Sequence, residues 1–472
     1  MTTPNSNQRR GSVVVVVIWA VAIAAVLVAA TQIVTFRQAV LGRESLARVQ
    51  ARWAARAGVE QMIALMEHYH EYPDPDDPLA VVRDMQDHAL GETETGSWDI
   101  RHFLDGVEWA GPLDEAAKLN VNKATRSQLA NLPRMTPDVV DAIVDWRDQN
   151  NEVEGMGAEA DYYTNRSMGY RPRNAPFKSF AEVELVAGAW PAYARGEDWN
   201  LNGRLDPNEN DGTRSLPDDK PDNKLDGGWS QYLTARSIQS KNSLTGLPRI
   251  RLQDATLEAL QERTGVDAGQ AKALQDYSRV ANARVENLIM IPLSQITTAG
   301  TAGNSNQRSS GRSPGASSQQ LGATGSSGRS SSGSTASPTT TVKDLTDPQL
   351  RAVLRETTTE DFSKPVPGRI NLNTAQIDLM KEVLDMDPRV VDMIVARRRA
   401  SPQGIVSLAD LAGLSGMTQQ TMAVLTSQFD VSSSVYTVTS RGRSRSTGAE
   451  VEIEVVVDRS ELPARILSYR EQ

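Results

Sequence analysis

The residues best placed to do chemistry are a run of oxygen-bearing side chains, Asp198-Trp-Asn-Leu-Asn-Gly-Arg-Leu-Asp-Pro-Asn-Glu209. A twelve-residue calcium loop of the EF-hand type draws oxygens from positions one, three, five, seven, nine and twelve, with glycine at six for the sharp turn. Asp198, Asn200 and Asn202 stand at one, three and five, and Gly203 at six. Arg204 offers its main-chain carbonyl at seven, Asp206 stands at nine and Glu209 supplies the bidentate carboxylate at twelve. Leu205, at eight, is the usual apolar contact. Oxygens spaced this way suit Ca²⁺. A second, poorer loop begins at Asp218 and uses Asp222 and Asp226, but Lys220 falls at its position three and Trp229 at twelve. It reads as a relic or as a lender of carboxylates to the first ion. With only Asp206 and Glu209 as full carboxylates beyond Asp198, the expected site is structural and extracellular in type rather than a cytosolic sensor.

Other chemistries lack their residues. The 472-residue chain has no cysteine, which excludes disulfides, thiolate metal sites and thiol nucleophiles. Of the four histidines, His68 and His70 are two apart and cannot both face one metal from a helix. No Gly-x-Ser-x-Gly motif and no nucleotide-binding loop occurs, so no enzyme is expected. A formal net charge of -9 argues against non-specific nucleic-acid binding as the main task.

The elements that would carry the calcium loop begin with a stem. Val13 to Ala30 is an unbroken apolar run of 18 residues behind Arg9, Arg10 and Gly11, long enough to cross a bilayer as a helix. The helical pattern continues to about Met66. Leu46, Val49, Trp53 and Ala57, then Val59, Met62, Ile63 and Met66, form a stripe that predicts packing on a folded domain. A Pro/Asp-rich break at 72–78 ends the helix, and a short helix is predicted from Leu79 to His88. Asp105-Gly106 between two β-prone runs predicts a hairpin. Val451, Ile453, Val455 and Val457 predict a strand with one buried face, preceded by a strand at Val435–Ser440 and followed by an edge strand at Ala464–Tyr469.

Two segments repeat each other, Leu119–Arg147 and Ile370–Arg398. Each has an extended Asn-x-Asn, a helix, a Pro-containing turn and a second helix, and Asn122 and Asn373 are placed to cap the first helix. Both resemble helix-hairpin-helix units, and Leu411–Val424 is placed to pair with the second. Their turns lack the glycines that let a phosphate approach the backbone, and Asp385 and Asp387 sit where a phosphate would lie. Structural or protein-docking hairpins are therefore expected, and nucleic acid is not. Ala299–Thr341, almost entirely Ser, Gly, Thr, Ala, Asn and Gln, reads as a flexible insertion.

The basic leader ending in Gly11, the apolar helix and its amphipathic continuation resemble a type IV pilin or pseudopilin, cut by a prepilin peptidase between Gly11 and Ser12. Pilins carry glutamate at the fifth mature position, whereas here it is Val16. That absence is a trait of the protein K family of type II secretion systems. The stretch from Asp145 to Gly188 is similar to that family's Asp-Trp-x-Asp, acidic loop and Gly-Ala-Glu-x-x-Tyr-Tyr block, with Val183 in place of a leucine. The resemblance implies an α+β fold, in which a long transmembrane helix runs into a pseudopilin αβ domain with an antiparallel sheet. A large helical insertion of helix-hairpin-helix type interrupts that domain. It also implies calcium near the acidic block, making Asp148, Glu159 and Asp161 further candidate ligands. It implies partners as well: minor pseudopilins I and J in a tip complex, the major pseudopilin and the inner membrane, with the bulk of the chain periplasmic.

The expected divisions are a leader (1–11), a transmembrane helix (12–36) and an amphipathic helix with the first part of the αβ domain (37–118). They continue with a helical insertion bearing the first hairpin and calcium loop (119–298), the Ser/Gly-rich segment (299–341), a second hairpin region (342–430) and the closing strands (431–472). Two rival readings share parts of this pattern. A membrane-tethered DNA-uptake protein uses the same hairpins, and a calcium-binding surface protein would keep the anchor and loop without processing at Gly11.

Overall fold

The structure, a computed structural model, describes residues 10–166, 168–215, 219–296, 342–414 and 416–472. The leader up to Arg9, Asp218 of the second acidic loop and the Ser/Gly-rich 299–341 lie outside the described residues. Gly11 and Ser12 fall in the first turn of helix α1 (Arg10–Glu71), which runs on without a break to the Pro/Asp turn. It is the one helix among the described residues long and apolar enough to cross a membrane, and its apolar stretch is exposed throughout.

The lower half of α1 lies on a seven-stranded antiparallel sheet. In chain order the strands are β1 (Leu90–Glu92), β2 (Gly96–Leu104), β3 (Val107–Ala110), β4 (Leu113–Asp114), β5 (Val435–Ser444), β6 (Glu450–Asp458) and β7 (Arg465–Glu471). Their spatial order is β1-β2-β5-β6-β7, with β3 paired to β2 and β4 to β5. The sheet is thus assembled from two stretches some 320 residues apart in sequence, joined where Ser440 faces Ile100 and Ser444 faces Gly96. The helix α2 (Ala80–Asp87) adds Val81 and Met85 to the core between α1 and the sheet.

Which face of α1 meets the sheet differs from the stripe expected. Val59, Met62 and Met66 are buried as predicted, but Leu46, Val49 and Trp53 point outward, with Trp53 60% exposed. Ala47, Ala51, Ala54 and Ala55 face the strands instead, all fully buried. Distance explains the change. A Cβ on Gly442 would stand 2.0 Å from the Ala51 carbonyl oxygen and 2.3 Å from the Ala55 nitrogen, so backbone meets backbone here and only small residues fit between. Hydrophobicity alone ranks tryptophan over alanine, but contact this close reverses the ranking.

The β2–β3 hairpin turns at Asp105 (φ 51°) and Gly106 (φ 68°), the left-handed pair of a two-residue turn. The Asp105 carboxylate then accepts the Ile377 N–H at 3.0 Å, tying the hairpin tip to the insertion. His102 on β2 is buried, its Nδ1 2.8 Å from the Gly111 carbonyl, and burial lowers its pKa from 6.5 to about 4. Between those values the unfolded chain takes up a proton that the folded chain refuses, so the stability tied to His102 is lost as pH falls from about 6.5 to about 4. His102→Gln is expected to flatten that acid limb by ~3 kcal/mol at most relative to the parent, read from urea midpoints at pH 7 and pH 4. Parallel slopes for the two proteins would contradict this.

The other face of the sheet is also covered, so β6 is buried on both sides rather than one. Glu452 and Glu454 point to this second face, where Arg441 and Arg470 pair with them. What covers them is the insertion, built from hairpin units with a common plan. In the first, a two-residue strand Leu119–Asn120 leads to α3 (Arg126–Ala130) and α4 (Pro137–Arg147). Another such strand, Ile370–Asn371, opens the unit that ends in a helix at Pro388–Arg399. A third copy, unrecognised from sequence, runs from Ile250–Arg251 through helices Leu257–Thr264 and Ala268–Tyr277. Each opening strand pairs in parallel with a distant one: Leu119 with Leu233, Ile250 with Thr357, Ile370 with Phe429.

The asparagines of the Asn-x-Asn do not cap the helices as expected. Thr125 caps α3 in a reciprocal box with Gln128. Asn122 instead clamps Phe177, accepting its N–H at 2.7 Å and donating to its carbonyl at 3.0 Å. Asn373 does the same for Ile405, at 2.8 and 3.0 Å. Their role is to pin a returning loop to the base of the hairpin. The units differ in core: the first and the one opening at Ile370 share one apolar core, while the copy at 250–277 has its own around Leu252, Leu260, Leu274 and Val353.

Candidate metal centres

The acidic block is carried by the first hairpin. Asp145 lies in the last turn of α4, Asp148 is its C-cap, and Glu159 is the residue before α5 (Ala160–Asn165). Ligating oxygens of the three lie within 4.8 Å of one another, the one such group of three or more among the described residues. Asp145 and Glu159 are buried, at 0% and 2% exposure. Asp145 Oδ2, Asp148 Oδ2 and both Glu159 oxygens have no hydrogen-bond partner. Three carboxylates this close, with four of their oxygens unpartnered, are costly as they stand. Burial first, then the charges of Asp145 and Asp148, raise the Glu159 pKa from 4.5 to about 7.

The surroundings hold this arrangement in place. Trp146, between the two aspartates, packs on Tyr163, Tyr170 and Phe177. Arg126 bridges Asp141 and Glu154, tethering the loop that returns over the cluster, and the Glu154 N–H reaches Asp145 Oδ1 at 3.2 Å. The Asp148 Oδ1 accepts the Asn150 N–H at 3.1 Å, leaving its other oxygen for the cluster. A hard cation with oxygen preference is what these atoms can hold; the set contains no nitrogen or sulfur donor.

The 198–209 loop is wound as its pattern predicts but differs in how its oxygens are used. Gly203 has φ 66°, and Asp198 accepts the N–H groups of Asn202 and Gly203 at 3.0 and 3.1 Å. Glu209 accepts those of Trp199 and Asp206, both at 3.0 Å. Burial raises Asp198 to about 6 and Glu209 to about 7. Asp206 is shared by the amides of Asn200 and Asn202 and by Arg441. The loop also docks on the sheet, where the Gly203 carbonyl accepts from Phe103 and the Asn202 carbonyl from Thr439. The Arg204 side chain reaches Asp99, at 3.0 Å to its carbonyl and 3.1 Å to its carboxylate.

The remaining sequence candidates fall elsewhere. Asp161 is exposed in the first turn of α5 and outside the three-carboxylate group. Asp222 caps its own turn by accepting the Lys224 N–H, and the Asp226 main chain pairs with Glu197. Asp145 and Glu197 were not among the sequence candidates. The Asp-Trp-x-Asp motif pointed at Asp145, but an aspartate on the second helix of a hairpin reads equally as a solvated residue. At the first hairpin turn the Pro133 carbonyl accepts the Trp229 indole N–H, and Arg134 lies over Tyr193. Within the basic run 397–399, Arg398 turns inward to the Ala375 carbonyl at 2.7 Å.

Residues 115–195 match the family model described as Type II secretion system (T2SS), protein K. No curated protein matches the chain. Among solved structures, one chain of the crystal structure of the GspK-GspI-GspJ complex from the enterotoxigenic Escherichia coli Type 2 Secretion System aligns over 90% of this chain and 96% of its own. That alignment has a TM-score of 0.41 and 10% sequence identity. The matched family segment contains the whole three-carboxylate cluster with its aromatic nest and ends before Asp198. Over that segment the chain is similar to protein K of type II secretion systems.

Proposed function

We propose that this chain is a minor pseudopilin of a type II secretion system, anchored by α1 in the inner membrane with its folded mass in the periplasm. The observation that carries the reading is the protein K match over 115–195, in a chain whose apolar stem is exposed throughout. The reading includes assembly with minor pseudopilins of the I and J types on a filament of the major pseudopilin, and no catalysis. Shape and charge support placement at the tip. The insertion puts most of the mass beyond the stem, and Val16 leaves no carboxylate to neutralise the amino terminus of a subunit ahead. Labelled copies are expected only at filament ends, with a mature terminus at Ser12. Labelling along the whole filament would remove the tip assignment, and an uncut leader would favour a surface protein.

The proposal includes Ca²⁺, first at Asp145, Asp148 and Glu159, where buried oxygens stand without partners. The loop of Asp198, Asn200, Asn202, Arg204, Asp206 and Glu209 is the second position. There Arg441 already contacts Asp206, so an ion would compete with a resident guanidinium.

A further inference from the structure

The 198–209 loop and the sheet meet along a row of alternating charge. Asp99 on β2, Arg441 on β5 and Glu452 on β6 stand directly across from one another in the strand register, so their side chains share one face. Against this row the loop sets groups of the opposite kind. Arg204 meets Asp99, Asp206 meets Arg441, and the Asn202 amide donates to Glu452 Oε1 at 2.9 Å. Arg441 holds two carboxylates at once, since its Nε and Nη2 also reach Glu452 Oε2, at 3.1 and 2.8 Å.

This docking spends the loop's ligand positions on contacts within the fold. Asp206, at position nine, accepts from Arg441 on one oxygen and from the Asn200 and Asn202 amides on the other, at 2.9 and 3.1 Å. Carboxylates only accept, so positions three and five turn amide nitrogens toward Asp206 and Glu452 rather than oxygens. Their oxygens accept main-chain N–H groups, Asn200 from Asn202 at 3.0 Å and Asn202 from Arg204 at 2.8 Å. Nor do Asp198, Asp206 and Glu209 converge on one point: among the described residues only the acidic block brings three carboxylates within 4.8 Å of one another. Ca²⁺ asks for about six to eight oxygens facing inward. Here a guanidinium supplies the positive charge at position nine instead.

We propose that Arg441 decides what the 198–209 loop holds: its guanidinium takes the place of the ion at Asp206, excludes divalent cations, and fastens the insertion to the sheet. The inference rests on the calcium reading of this loop and not on that of the acidic block. Guanidinium and ion are alternatives, because an ion at Asp206 needs the oxygen that Arg441 occupies and the amides of Asn200 and Asn202 reversed. Without the arginine, Asp206 and Glu452 are left without their shared cation, and the loop becomes open to a hard dication.

The test uses the full chain in detergent, with the acidic block disabled by Asp145→Asn and Glu159→Gln, titrated with Ca²⁺ by calorimetry. Arg441→Gln is expected to bind Ca²⁺ at least ~10-fold more tightly than this parent, and to gain in melting temperature when Ca²⁺ is added, as the parent does not. Arg441→Lys, which keeps the charge, should stay close to the parent. Arg441→Met repeats the comparison with a side chain of similar reach, and circular dichroism checks that each variant is folded. Adding Asp206→Asn to Arg441→Gln should remove the gained binding, which locates it in the loop. Equal affinity with and without Arg441, or a gain that survives Asp206→Asn, would overturn the proposal. Binding at the acidic block is read separately in the chain that keeps Asp145 and Glu159, so its failure and the failure of this proposal are distinct results.

Discussion

Chelation of the proposed Ca²⁺ in the purified folded part of the chain is expected to lower its melting temperature by ~10 °C, and Asp145→Asn with Glu159→Gln to abolish that dependence. The size follows from mass action. An ion present at a thousandfold its dissociation constant stabilises the folded state by ~4 kcal/mol, or roughly 2–4 °C of melting temperature for each kcal/mol in a domain of this size. The sign in the absence of calcium separates this from general damage. Three mutually close carboxylates with unpartnered oxygens repel one another, so neutralising Glu159 should make the calcium-free protein more stable than its parent, by ~1–2 kcal/mol. A variant less stable in both conditions would mean that the cluster holds the fold without an ion. Calorimetric scans with calcium and with chelator distinguish these outcomes. Proton release on binding gives an independent check: Glu159 near 7 must surrender its proton to serve as ligand, so affinity should rise as pH climbs through 7.

The second large effect is expected at Gly442. An alanine there would place its Cβ 2.0 Å from the Ala51 carbonyl oxygen, and neither partner is a side chain that can swing away. The helix must lift or β5 must bend, which separates the Ala47–Ala51–Ala55 face from the strands. Gly442→Ala is expected to cost more than ~3 kcal/mol, well above the usual effect of one added methyl in a core. Denaturant midpoints check this. Ala51→Gly as a companion change removes no backbone atom and should not rescue it, whereas recovery would place the clash at the Ala51 side chain instead.

Much of the outline was legible because it rests on local signals. The apolar stem, the Asp105-Gly106 turn and the alternating valines of β6 declare themselves within a few residues. The inward face of α1 was not legible, since it depends on how closely a strand 390 residues away approaches Ala51, a distance no helical stripe records. The third hairpin unit escaped for a related reason. Gln253 stands where the other two have Asn122 and Asn373, so the repeat is kept in backbone pairing while its side-chain signature is lost. At the site, the 198–209 loop was plain because its candidate ligands lie within one short run of sequence. The Asp145, Asp148 and Glu159 group becomes a site only when the loop between 148 and 159 folds back, held by Arg126.

The three parallel two-residue ladders bear on how this chain acquires its structure. Leu119 waits for Leu233, Ile250 for Thr357, and Ile370 for Phe429, while the sheet waits for residues after 435 to join those before 115. Closures this distant are slow, because loop entropy is lost before the contacts that reward it can form. The hairpins can nucleate early, but none is sealed until a later stretch arrives, and β5 threads between strands made at opposite ends of synthesis. Folding is therefore governed by completion. A chain interrupted just before β5 keeps its stem and its hairpins but lacks the centre of its sheet, so a truncated product would be exposed to proteolysis.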